Sequence, residues 1–220
     1  FYLKAKHTYE KRENIDDTEI AQGLIKKALE LDDNLIRAKA FFAQTYTLMG
    51  DNDNAIDILN PALKQAQKLG DKEGEAAIFS SFGTTYTNKG NLDLMISYHE
   101  KALEIYNETG NAEQSISCLF WIGYSYKDKG DLDKALGYYE RAIMIAEKLD
   151  NKRLIKPSPI TLAEVYKKKG DIDTAIKLFK RREAIDVTEL TKRDTGISIL
   201  HDGMACYEMC EYENAIECLN

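Results

Sequence analysis

Apolar positions along this chain recur at helical spacing, in stripes that come in pairs. Phe79, Phe82, Gly83 and Tyr86 share one helix face, and Leu119, Ile122, Gly123 and Tyr126 repeat it forty residues later. After a polar break, Met95, Ile96, His99, Ala102 and Leu103 form a second stripe. Ala135, Leu136, Tyr139, Ala142 and Ile143 match it in the next unit. Two amphipathic helices joined by a short turn, repeated at a fixed period, predict helical hairpins that bury their apolar faces against their neighbours.

The turns carry their own signature. Gly50-Asp51, Gly90-Asn91, Gly130-Asp131 and Gly170-Asp171 stand forty apart, and Cys210-Glu211 falls in the same register. The glycines are expected to end the first helix of each hairpin in a left-handed conformation, and the Asp or Asn to cap the second. Asp53, Asp93, Asp133 and Asp173 then favour its positive end. Tyr46, Tyr86, Tyr126 and Tyr166 keep step, preceded by the small residues Ala43, Gly83, Gly123 and Ala163. In the second helices come Ala55, Met95, Ala135, Ala175 and Ala215, with Ala62, Ala102 and Ala142 farther on. The small residues are expected to face each other where paired helices approach closely.

The order of small residue, tyrosine, turn glycine and two second-helix alanines resembles the tetratricopeptide repeat. The likeness covers essentially the whole chain. It implies an all-α solenoid of antiparallel helix pairs, a single domain of about six units spanning approximately 1–34, 35–74, 75–114, 115–154, 155–194 and an incomplete 195–220. In the first unit Ala21 and Ala28 fit, but Arg12 replaces the tyrosine and Asp16 the glycine. Ala28 and Ala62 lie 34 apart, the usual repeat length, whereas the later forty-residue units are similar to LGN-like and kinesin light chain-like repeats.

Two places break the pattern. Pro61 falls inside a second helix and is expected to kink it. Pro157 and Pro159 fall where the fifth unit should begin. Ser158 as cap with Pro159 in the first turn predicts a late helix start after an exposed loop over 150–158, a hinge or a lip in the sharper reading.

Charge and composition narrow the function. The formal net charge is −7, which argues against a nucleic-acid partner. The span from Asp150 to Asp194 carries twelve Lys/Arg and eight Asp/Glu, a local +4 against −11 elsewhere. No apolar run approaches the roughly 18 residues of a membrane span. Four cysteines, with Cys206 and Cys210 one helical turn apart, read as reduced thiols and a cytoplasmic setting. The chain begins at Phe1 and stops within an apparent helix at Asn220, as expected of a piece of a longer protein.

Catalytic chemistry finds little support. His7, His99 and His201 are scattered, no catalytic motif or phosphate loop is present, and no cofactor is implied. His99 takes the slot held by Tyr139 and Phe179 in sister units, so it reads as a packing residue. His201, Cys206, Cys210 and Cys218 lack zinc-site spacing. Asp16-Asp17 and Asp32-Asp33 fall at helix boundaries, as caps or solvated loops.

The family resemblance implies a non-enzymatic scaffold that binds a protein or peptide on the concave face of its first helices. Carried onto this sequence, the contact positions are Arg37, Phe41 and Gln44; Ser80, Ser81, Thr84 and Asn88; Phe120, Trp121, Tyr124 and Lys127; Glu164, Lys167 and Lys168; and His201, Met204 and Tyr207. Phe120, Trp121 and Tyr124 form a patch suited to anchoring a partner. The carboxylate clamp that grips chaperone tails is not continuous, since its sites read Lys6, Glu10, Gln44, Ser80 and Ser81. The N-terminal segment looks like repeat regions that follow output domains in bacterial signalling proteins. A peptide-sensing regulator similar to Rap-type receptors is the alternative. Exposed solenoid ends offer a route to self-association.

Overall fold

The computed structural model describes residues 1–12, 14–149 and 158–183. The chain divides into two compact units, residues 1–142 and 143–220. The first contains α1 (Tyr2–Glu10), α2 (Ile15–Leu31), α3 (Ile36–Leu48), α4 (Asn52–Leu69), α5 (Lys72–Asn88), α6 (Leu92–Thr109), α7 (Ala112–Asp128) and most of α8 (Leu132–Lys148). In the second lie α9 (Ser158–Lys169) and α10 (Ile172–Glu183). All regular structure among the described residues is helical.

Punctuation glycines divide the helices as expected. Gly50, Gly90, Gly130 and Gly170 have φ of 81°, 70°, 83° and 83°. The residue after each donates its N–H to the carbonyl of the repeated tyrosine, as in Asp51 to Tyr46 at 3.0 Å and Asp131 to Tyr126 at 2.9 Å. Its side chain then accepts the N–H three residues on, so one residue closes one helix and opens the next. A second series does the same for the opposite ends. Gly70 (φ 68°) and Gly110 (φ 73°) end α4 and α6, and Asp71 and Asn111 cap α5 and α7. The chain therefore turns about every twenty residues, in both directions, by the same device.

α1 and α2 follow a different rule. Asn14 caps α2 with Asp17 completing a capping box, so α2 starts ahead of Asp16, where the glycine was expected. α3 has thirteen residues where α5 has seventeen, and α2 ends at Leu31, soon after Ala28, which together account for the shorter spacing from Ala28 to Ala62. α4 runs unbroken through Pro61. α9 begins at Ser158, the late start expected from Pro157 and Pro159; residues 150–157 lie outside the described residues.

The paired helices approach in a way that differs from expectation. Gly83 does not meet another small residue; a Cβ there would lie 2.5 Å from Nε2 of His99 on α6. Gly123 likewise leaves room for the ring of Tyr139 on α8, with 2.7 Å to the nearest ring atom. Each glycine is the hollow for a buried ring. Where the second helix carries Leu59 instead, the partner position holds Ala43, and both belong to one core with Ile36, Ala62, Ala66, Ile78 and Phe82.

Successive hairpins within the first unit are joined by a small set of repeated contacts. Lys89 pairs with Asp53 at 2.8 Å, and Lys129 pairs with Asp93 forty residues on. The buried hydroxyls of Thr47 and Thr85 bond at 2.9 Å, and Asn88 donates to the Thr47 carbonyl at 2.9 Å. Within the hairpins, Tyr86 of α5 stacks on Tyr98 of α6 at 5.5 Å and 3°, and Tyr126 of α7 on Tyr138 of α8 at 5.5 Å and 12°.

Candidate binding face

The first helices of the hairpins, α3, α5 and α7, present equivalent positions at forty-residue intervals. Positions 41, 81 and 121 turn toward the preceding hairpin. Phe41 is 7% exposed and packs edge-on against Tyr9 (4.9 Å) and Tyr2 (6.2 Å) of α1. Ser81 is 1% exposed and donates to the Ala40 carbonyl of α3 at 3.3 Å. Trp121 lies parallel to His99 of α6, 6.1 Å between ring centres and 6° between planes. Phe41 and Ser81, expected as ligand contacts, are therefore buried, and Trp121 is half covered. The physical reason is helix packing: this register sits on the flank of the first helix that its neighbour covers.

Positions 44, 84 and 124 remain open. Gln44 and Thr84 are half-buried, and Tyr124 is 37% exposed. Thr84 donates to the Ser80 carbonyl of its own helix at 3.1 Å. Tyr124 meets the edge of Trp121 at 6.0 Å and 80°, and Lys127 places its ammonium 5.1 Å from the Tyr124 ring centre. Phe120 leans on Tyr139, its ring 5.7 Å away. The arrangement is an aromatic shelf on α7 with a cation at its rim. Beside it, α5 offers hydroxyl and amide groups at Ser80, Thr84 and Asn88.

One end of this face carries a polar brace that sequence reasoning missed. Arg37, exposed as expected, reaches Glu73 at 3.4 Å, and Asn111 donates to the same carboxylate at 3.4 Å. The only signal for Glu73 was its place at the start of a first helix. Near it, burial pushes the Tyr106 hydroxyl far up, and burial raises Cys118 to about 12 against a hydrogen bond with Ser80. That thiol stays protonated at neutral pH and is no nucleophile. His99 is forced the other way, to about 4, by burial alone.

In the second unit, Glu164 and Lys167 of α9 are half-buried and Lys168 is exposed. His201, Met204 and Tyr207 lie outside the described residues, as do Cys206, Cys210 and Cys218. Among the described residues no group of three or more His, Cys, Asp or Glu is placed to hold a metal ion. No described helix is long and apolar enough to cross a membrane.

A repeated pair of antiparallel helices, closed by left-handed glycines and presenting an open face of first-helix side chains, defines an α-solenoid repeat protein. The sequence profile of the tetratricopeptide repeat matches residues 34–108 and 74–148, and the chain belongs to that family. Among proteins curated for function, none matches the chain in sequence. Solved structures with the same fold include BtubC (BKLC) from P. vanneervenii, 20% identical over 92% of this chain and 90% of that one, with a TM-score of 0.68. A putative kinesin light chain with nearly identical TPR-like repeats from Podosopora anserina is 18% identical over 84% and 95% of the two chains, with a TM-score of 0.61. The apo form of RapI is 18% identical over 84% of this chain and 68% of that one, with a TM-score of 0.67. At these identities the likeness establishes the fold.

Proposed function

We propose that this chain is a non-enzymatic, cytoplasmic interaction scaffold that takes a peptide or helix of a partner protein across the open face of its first helices, as part of a larger signalling or regulatory protein. The tetratricopeptide fold supports the scaffold reading in general. The observation that carries the particular reading is the Trp121–Tyr124–Lys127 shelf, an aromatic pair and a cation presented on α7. Aromatic side chains of this kind dominate the energetics of protein interfaces. The proposed contacts are Arg37, Gln44, Thr84, Asn88, Tyr124 and Lys127, with Phe41 and Ser81 supporting the helices beneath them. Likeness to RapI favours a second reading, a regulator that senses a short peptide on the same face.

Tyr124→Ala tests the first reading without disturbing the stack of Trp121 on His99. Once a partner is captured with the wild-type chain, titration followed by Trp121 emission should show about a tenfold or greater loss of affinity in the variant, about 1.4 kcal/mol or more. Unchanged affinity together with an unmoved emission spectrum would remove the shelf from the binding face. A bound protein segment supports the scaffold, and a free short peptide supports the sensor.

A further inference from the structure

His99 is the one ionisable side chain with a titration near neutral pH in a slot that Leu59 and Tyr139 fill in the flanking hairpins. It is 0% exposed, and neither ring nitrogen has a hydrogen-bond partner. Gly83 of α5 bounds the imidazole on one side, so closely that no Cβ fits, and Trp121 of α7 lies parallel to it. α6 itself adds the buried Met95, Ala102 and Leu103. Of the other ionisable residues on these three helices only Tyr106 and Cys118 are buried, and burial keeps both protonated and uncharged. Glu73 and Glu75 of α5 and Lys127 of α7 are half-buried, and Glu100 and Lys101 beside His99 are exposed. Loss of water is the sole cause of the shift of His99 from 6.5 to about 4, with no carboxylate offsetting it.

We propose that His99 is an acid-operated latch whose protonation drives the imidazolium out of its slot and loosens α7 from the α5–α6 hairpin at the Trp121 stack. An imidazolium brings a charge and two N–H donors into a space that contains no acceptor for either nitrogen. The way out lies past Trp121. The Gly83 side is helix backbone in direct contact, whereas Trp121 is a half-buried side chain. Leu59 and Tyr139 carry no base that titrates in this range, so the opening is confined to one junction.

The sign of the linkage follows from the depressed value. Above pH 6.5 neither the closed nor the opened form is protonated, and closure keeps its full advantage. As pH falls from 6.5 toward 4 the opened form takes the proton first, and closure loses ground. Between pH 7 and pH 4 the ratio of opened to closed forms rises about a hundredfold.

Trp121 is the only tryptophan, which makes the junction self-reporting. Its emission maximum and its quenching by iodide are to be followed from pH 8 to pH 3.5, alongside helix content from circular dichroism. The expected result is a red shift with greater quenching, centred between pH 6.5 and 4, while helix content holds. His99→Tyr places over Gly83 the ring that Tyr139 places over Gly123, and should abolish the transition. In a His7→Gln/His201→Gln chain the remaining imidazole can be followed by proton NMR, and should titrate below 6.5 in step with the emission. A shift that persists in His99→Tyr overturns the latch. So does an imidazole that titrates near 6.5 while the tryptophan signal stays still, or an emission change that only accompanies loss of helix.

Discussion

The third hairpin (α5–α6) and the fourth (α7–α8) are two versions of one object. They share left-handed glycines at Gly90 and Gly130, the Lys–Asp ties made by Lys89 and Lys129, and the tyrosine stacks of Tyr86 on Tyr98 and Tyr126 on Tyr138. They differ where one hairpin meets the one before it and where it meets solvent. Ser81 and Thr84 of α5 become Trp121 and Tyr124 of α7, and His99 of α6 becomes Tyr139 of α8. The backbone device is repeated because every unit has to turn and stack in the same way. The side chains between and outside the units are free to vary, and there this chain acquires an aromatic shelf and a buried base.

The core slot offers the strongest way to break the likeness. Tyr139 is 1% exposed in close contact with Gly123, so Tyr139→Ala should cost about 3–5 kcal/mol. Urea unfolding reads this as a lower midpoint. His99→Ala should cost less, because it removes a smaller ring from the equivalent slot.

Filling the hollow is the next largest change. In Gly83→Ala the added methyl meets the His99 ring, and overpacking of this kind costs about 1–3 kcal/mol, partly offset by about 1 kcal/mol of helix propensity. The sharper experiment adds His99→Leu. The double variant reproduces the Ala43 and Leu59 pair of the second hairpin and should recover at least the stability lost in the single one. If the double variant is no more stable than Gly83→Ala, the glycine is not a ring-sized hollow.

The smallest effect is expected at the ties. Lys89→Met copies Met49, which occupies the same register in the preceding hairpin. Asp53 and Lys89 lie in solvent, so the exposed pair should leave the urea midpoint unchanged within error. A clear drop would show the ties to be structural joints.

Much of this architecture was legible in the forty-residue spacing. The hairpins, the turns at Gly50, Gly90, Gly130 and Gly170, their Asp and Asn caps, and the packing role of His99 were all readable. The second glycine series at Gly70 and Gly110 stands in the sequence as a Gly-Asp and a Gly-Asn dipeptide, a signal that one turn per forty residues does not require. The face assignments were harder. Trp121 and Tyr124 lie three residues apart on one helix, yet one stacks on a neighbouring hairpin and the other meets solvent. Phe41 and Ser81 share the register of Trp121 and are buried against the preceding hairpin.

Helical period, glycine position and capping chemistry are local properties. A left-handed residue followed by Asp or Asn ends one helix and starts the next whatever surrounds it, so the linear order of residues was enough to define the elements and their pairing. A period of 3.6 residues marks an apolar stripe more than a quarter-turn wide, and it does not say which edge of that stripe a neighbour covers. The crossing of successive helices made that choice. It sank Phe41 and Ser81 between hairpins, set Trp121 against His99, and left Tyr124 as the residue facing out.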